Sequence, residues 1–131
     1  MGRAVAGARL LLVENEPDLQ EVMVELLEAD GFVAVTTDSV PAALKALSES
    51  SFGLVLTDFQ LGGDQAPWLE LQRIRDAAQP APVGIVTGAS IDPAEAQRRG
   101  FAFAIQKPFD WDALLARVLE HVQPASSRPV G

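Results

Sequence analysis

Five short apolar runs, each separated from the next by a stretch of helical period, constrain this chain more than any other feature. The runs are Arg9–Val13, Phe32–Thr36, Leu54–Thr57, Val83–Thr87 and Phe101–Ile105. Strands that alternate with helices do not close into hairpins. They join through right-handed crossovers into a parallel sheet with helices on both faces. Leu10–Val13 and Leu54–Leu56 are apolar without alternation, as strands covered on both sides require. The fold class is therefore α/β, a five-stranded parallel sheet between two helical layers.

The intervening segments read as helices of unequal strength. Leu19, Val22, Met23, Leu26 and Leu27 fall on one helical face, with Pro17 suited to the first turn and Gly31 to the residue past the end. Val40, Ala43, Leu44 and Leu47 repeat the pattern behind a Ser39 cap. Trp68, Leu71, Ile74 and Ala78 form a third helix that Gln79–Pro82 ends, and both Trp68 and Trp111 are expected to pack into the core. The strongest face is the last, with Trp111, Leu114, Leu115, Val118, Leu119 and Val122 behind an Asp110 cap. His121 lies in its final turn, where a cation is favoured, and reads as structural. Between Ile91 and Gly100 no aliphatic residue larger than Ala follows Ile91, so a helix there should be short and loosely held. Arg98 and Arg99 read as a solvated face near its end.

The 131 residues suit one domain over residues 9–122, with a flexible tail at 1–8 and a Pro/Ser-rich tail or linker at 123–131. No Cys is present, which excludes disulfides, thiolate metal sites and a cysteine nucleophile. A single His excludes histidine-rich metal cages. The formal net charge of −8 argues against direct nucleic-acid binding, whose electrostatic footprint is basic. No apolar run approaches the roughly 18 residues of a membrane span. The opening stretch, broken by Arg3 and Arg9, makes a poor signal peptide. A cytoplasmic protein without membrane contact is expected.

In open parallel sheets, ligands bind beyond the carboxyl ends of the strands. There the first run delivers Glu14, Asn15 and Glu16, the third Asp58, the fourth Thr87, and the fifth leads into Lys107-Pro108-Phe109. Thr36, Thr37 and Asp38 after the second run have no obvious partner. A carboxylate such as Asp58 can attack phosphorus, a reaction governed by positioning and charge neutralisation. Acidic oxygens beside it suit Mg²⁺. Lys107 and Thr87 would meet the other phosphoryl oxygens.

In this order and at these intervals, four fragments resemble the response-regulator receiver domains of two-component signalling. They are Leu11-Leu12-Val13-Glu14-Asn15-Glu16-Pro17, Leu54-Val55-Leu56-Thr57-Asp58, Ile85-Val86-Thr87-Gly88 and Lys107-Pro108-Phe109. The resemblance implies the flavodoxin-like strand order 2-1-3-4-5. It implies Asp58 as phosphoacceptor, Thr87 as switch hydroxyl and Lys107 as the lysine of the family. It implies Mg²⁺ held by Glu14, Asn15, Asp58 and the backbone carbonyl of Gln60. The donor would be a histidine kinase or histidine phosphotransfer protein, with a downstream protein partner of unknown identity. Such a domain assists its own phosphoryl transfer and hydrolysis without being a conventional enzyme, and a homodimer through the last helices is a habit of the family.

The sequence also departs from that pattern. Asn15 stands where a second Asp is usual, which removes a charge from the metal site and predicts weakened Mg²⁺ binding. Glu14 compensates in part, its extra methylene adding a bond of about 1.5 Å to its reach. Ala104 stands where Tyr or Phe is frequent, and Phe103, one residue earlier, faces the other side of the strand. A conformational output would then pass through the loop after Thr87 and the thin helix near Asp92–Arg99. Gly62-Gly63 loosen the loop after Asp58, and Gln60 could orient a water or shield a phosphoryl group. The alternative is a degenerate receiver that works through phosphorylation-independent protein contacts. Enzymes on related folds fit poorly. Glu14-Asn15-Glu16 replaces the Asp-x-Asp of haloacid-dehalogenase phosphatases, Asp58-Phe59-Gln60 breaks the Toprim pattern, and two acids would repel the phosphate of a flavodoxin loop.

Overall fold

Every strand of the sheet runs parallel to its neighbours, in the order β2-β1-β3-β4-β5. The computed structural model describes residues 7–61 and 67–123. The elements are β1 (Arg9–Val13), α1 (Pro17–Ala29), β2 (Val33–Thr37), α2 (Val40–Glu49), β3 (Leu54–Thr57), α3 (Pro67–Ala78), β4 (Val83–Thr87), α4 (Pro93–Arg98), β5 (Phe103–Gln106) and α5 (Trp111–His121). The sequence reading of Gly62-Gly63 and of most of the two tails falls outside the described residues. Among the described residues no helix is long and apolar enough to cross a membrane.

Successive strand residues point to opposite faces, and this divides the interior into two cores. Leu11, Val13, Val55, Val83 and Ile85 meet α2, α3 and α4 through Val40, Ala43, Leu71, Ile74 and Ala96. Leu10, Leu12, Leu54, Leu56 and Val86 meet α1 and α5 through Met23, Leu27, Leu114 and Val118. The helical faces are narrower than their sequence stripes. Val22 is 50% exposed and Leu119 47% exposed, although both belong to the apolar patterns of α1 and α5. Each lies about 100° around its helix from a buried neighbour, Met23 or Val118, and the small sheet covers only one arc.

The second and fifth strands start later than their apolar runs suggest. Phe32 and Phe101 are not strand residues, because their N–H groups turn back to Leu27 and Ala96 carbonyls at 3.1 and 3.0 Å. Gly31 and Gly100, both at φ 93°, make the left-handed step before them. Gly31 donates to Glu28 and Gly100 to Gln97, each at 3.0 Å, which completes a Schellman closure of α1 and of α4. Ser39 caps α2 through the Ala42 N–H at 3.2 Å. Asp110 occupies the N-cap of α5 but its carboxylate makes no capping bond, contrary to the sequence expectation. The helix α4 is six residues long and buries only Ala96, the thin element its composition implies.

Gly84 sits where β4 pairs with Leu56 and Phe103. A Cβ there would lie 2.2 Å from Cζ of Phe103, whose ring spans the strand. Gly84→Ala should therefore cost about 1–3 kcal/mol in urea unfolding. Phe103→Leu in the same chain should return part of that loss.

Candidate functional site

Beyond the carboxyl ends of β1 and β3 the backbone delivers two buried acids side by side. The Glu14 N–H donates to Thr37 O at 3.0 Å, and the Asp58 N–H donates to Val13 O at 2.9 Å, so both residues continue the sheet. The side-chain amide of Gln20 in α1 donates to the carbonyls of Glu14 and Thr37 at 3.1 and 3.3 Å, fastening the helix to both strand ends. Sequence reasoning had no signal for this role, which depends on β1 and β2 being neighbours. Thr37, unassigned in the sequence, is spent here and on a bond from its hydroxyl to Leu12 O at 3.4 Å.

Glu14 is 2% exposed and Asp58 7% exposed, and Lys107 supplies the counter-charge. Its ammonium lies 3.1 Å from Glu14 Oε1, 3.5 Å from Asp58 Oδ2 and 3.6 Å from Glu16 Oε1. The other Glu14 oxygen accepts from the Glu16 N–H at 3.2 Å, and Asp58 Oδ1 accepts from the Gln60 N–H at 3.2 Å. The Thr57 hydroxyl donates to Asp58 O at 2.9 Å. Lys107 is placed by its own N–H, which donates to Thr87 O at 2.8 Å and so ties the end of β5 to the end of β4.

The structure thus joins Glu14, Asp58 and Lys107 in one cluster and adds Glu16, which the sequence reading placed at the same strand end without a metal or catalytic role. Thr87 is buried at the neighbouring strand end, and its hydroxyl accepts from the Ala89 N–H at 3.2 Å. Asn15 and Gln60 have exposed side chains outside the ion-pair cluster.

Burial is the largest influence on Glu14 and raises its pKa. The Lys107 hydrogen bond and charge pull it back, Asp58 pushes it further up, and the net shift is upward from 4.5. Burial opposes the charge on Lys107, but the Glu14 hydrogen bond and the fields of Glu14, Asp58 and Glu16 outweigh it and raise its pKa above 10.5. Three carboxylates around one ammonium leave the rim negative. Among the described residues no three His, Cys, Asp or Glu side chains form a closed metal cage. The donors present are all hard oxygens, a set that fits a Mg²⁺ ion keeping several waters and using one or two carboxylates.

An apolar groove of about 510 Å³ borders the cluster and shares Glu16 and Lys107 with it. Leu19, Val22, Leu26 and Trp111 line it, which is where the exposed part of the α1 stripe goes.

Removing Lys107 would leave Glu14 buried without its partner. Lys107→Met should lower stability by about 2 kcal/mol or more near pH 7. A buried acid with a raised pKa favours folding when protonated and loses that contribution as pH rises through the folded value. The deficit relative to the unaltered chain should therefore shrink as pH falls and Glu14 takes up its proton, measured by urea unfolding across pH.

Comparison with known proteins agrees with this geometry. A family model, the response regulator receiver domain, matches residues 10–119. Response regulator protein FleR of Pseudomonas aeruginosa is 36% identical over 116 residues, covering 88% of this chain and 24% of that protein. Transcriptional regulatory protein GlrR of Escherichia coli is 31% identical over 125 residues, covering 91% of this chain and 28% of that protein. The chain thus spans about a quarter of the length of these relatives. The receiver domain of a Luxo repressor protein from Vibrio parahaemolyticus superposes with a TM-score of 0.77 at 23% identity, covering 88% of this chain and 89% of that one. The response regulator TrrA from Thermotoga maritima, in complex with Mg²⁺ and BeF, superposes at 0.75 and 23% identity over 86% of this chain and 97% of that one. The match over nearly the whole sheet, with buried acids and a lysine at its carboxyl rim, shows that the chain belongs to the response regulator receiver domains of two-component signalling.

Proposed function

We propose that Asp58 accepts a phosphoryl group from a phosphohistidine of a histidine kinase or histidine phosphotransfer protein. The observation that carries this reading is the Lys107 ammonium held 3.5 Å from Asp58 Oδ2 at a buried strand end. A carboxylate oxygen of Asp58 forms the new bond to phosphorus while the P–N bond of the donor breaks, and the imidazole leaves with that electron pair. Negative charge on the phosphoryl oxygens is met by Lys107, which exchanges part of its hold on Glu14 and Glu16 for them. The Thr87 hydroxyl, released from the Ala89 N–H, is the nearby donor for another oxygen. Asp58, Glu14, the Asn15 side-chain oxygen and the Gln60 carbonyl are the groups that would hold Mg²⁺, which supplies further neutralisation when bound.

Mg²⁺ binding is weakened for two reasons. Asn15 brings no charge, and both carboxylate oxygens of Glu14 already have partners in Lys107 and the Glu16 N–H. The apolar groove beside the cluster is the seat for the phosphodonor protein, which must bring its imidazole to Asp58 and cover this rim. The same reading puts this domain in the cytoplasm together with its phosphodonor.

Incubation with acetyl phosphate and Mg²⁺ should give a single phosphoryl adduct in intact mass spectrometry, and Asp58→Asn should abolish it. Failure to form an adduct at high Mg²⁺ would favour a phosphorylation-independent interaction module. Asn15→Asp should tighten Mg²⁺ by about ten-fold in calorimetric titration, since a recovered charge at this range is worth more than 1.4 kcal/mol before desolvation is subtracted.

A further inference from the structure

At the opposite rim of the sheet lies a hollow of about 790 Å³, between the C-terminal ends of α3 and α4. Val83, the first residue of β4, lines it, whereas Thr87 at the other end of that strand belongs to the phosphoacceptor rim. Arg75, Arg98 and Arg99 also line it, with Asp76 paired to Arg75 at 2.8 Å and Glu95 to Arg99 at 2.9 Å just behind them. In a chain with ten Lys+Arg against eighteen Asp+Glu, three arginines against two paired acids leave this rim locally positive by the one charge of Arg98.

Two of these arginines are held in place before any ligand arrives. Arg75 lies over the Phe101 ring at 5.9 Å and donates to the Arg99 carbonyl. Arg99 lies over the Trp68 ring at 4.4 Å and makes two bonds to Glu95 Oε2, at 3.0 and 2.9 Å. Its side chain is 35% exposed, so it belongs only in part to the solvated face the sequence suggested. Arg98 is exposed and has no ion pair among the described residues. A Cβ on Gly100 would come within 2.9 Å of Arg75 Cδ, so the glycine leaves room for that side chain. Stacked guanidinium groups lose little freedom on meeting a carboxylate. Capping of helix carbonyls accounts for Arg75, but it accounts for neither Arg98 nor the open volume.

A continuous set of ring contacts leads from Asp58 to this hollow. Phe59, the next residue, meets Trp68 edge to face at 4.9 Å and 73°. Trp68 in turn meets Phe101 at 5.8 Å and carries Arg99 on its face. Ala104 provides no comparable aromatic on β5.

We propose that the arginine-lined hollow is the output surface of this receiver, that it binds an acidic segment of a partner protein, and that Trp68 couples it to Asp58. This rests on the phosphoacceptor reading given above. Any displacement of Asp58–Gln60 on phosphorylation carries Phe59 with it. Trp68 passes that displacement to the rings and guanidinium groups that shape the hollow.

The test uses the full chain and fluorescein-labelled octaglutamate, followed by anisotropy at low ionic strength, where exposed charges are least screened. Binding is compared with and without fluoroberyllate and Mg²⁺, while ¹⁹F NMR reports separately whether Asp58 is occupied. The two states should differ in affinity by about five-fold or more. Arg98→Ala should weaken binding by about three-fold or more. Phe59→Leu, which breaks the contact with Trp68 without touching the hollow, should leave Arg98-dependent binding in place yet make the two states equal, whereas Trp68→Leu, which also removes the ring beneath Arg99, should abolish the difference and weaken binding. No binding of the peptide, indifference to Arg98→Ala, or equal affinities with the fluoroberyllate signal present would overturn the proposal and leave the Asp58 reading standing. Absence of the fluoroberyllate signal would overturn that reading and the coupling with it.

Discussion

One ammonium group makes the carboxyl rim of this sheet tenable. Glu14 and Asp58 end adjacent parallel strands, so the topology forces two carboxylates together out of water, with Glu16 close behind. Like charges so placed repel, and burial penalises each of them. Lys107 comes from β5, which does not touch β1 or β3, and reaches the acids past the end of β4. Its backbone bond to Thr87 O fixes the start of that reach. The order of the strands and the length of a lysine side chain are therefore parts of one electrostatic solution.

The two helical layers serve this rim differently. On one side α1 is fastened by Gln20 to the ends of β1 and β2 and leaves an apolar groove open beside Lys107. On the other side α4 contributes a single buried Ala96. What it lacks in apolar area is made up by a Schellman closure onto Phe101 and by the stacking of Arg99 on Trp68. A short helix held mainly by its C-terminal end responds readily to whatever moves those contacts.

The departures from the family pattern acquire physical content in this setting. At Asn15 an uncharged side chain stands beside a rim that is already negative, outside the ion-pair cluster. At Ala104 a ring is missing from the face of β5 that packs toward α4. The rings of Phe59, Trp68 and Phe101 lie on that same side of the sheet and form a run of contacts that begins next to Asp58. Of these, Trp68 was expected only to fill core.

The sequence by itself determined the alternation of strands and helices, the doubly covered sheet, and the placing of Glu14, Asp58, Thr87 and Lys107 at strand ends. Each of these follows from local period and from residue type. Only the tertiary structure decided which groups touch. Glu16 joins the cluster because Lys107 arrives from a strand three places away from β1, and Gln20 finds two carbonyls because β2 lies beside β1. Phe32 and Phe101 read as strand by their apolar character, yet their N–H groups are claimed by the helices before them. Val22 and Leu119 belong to the right stripes but lie beyond the arc the sheet can cover. The division follows the range of the physics: periodicity is written within one turn or one strand, whereas charge pairing, ring stacking and burial depend on segments that only folding brings together.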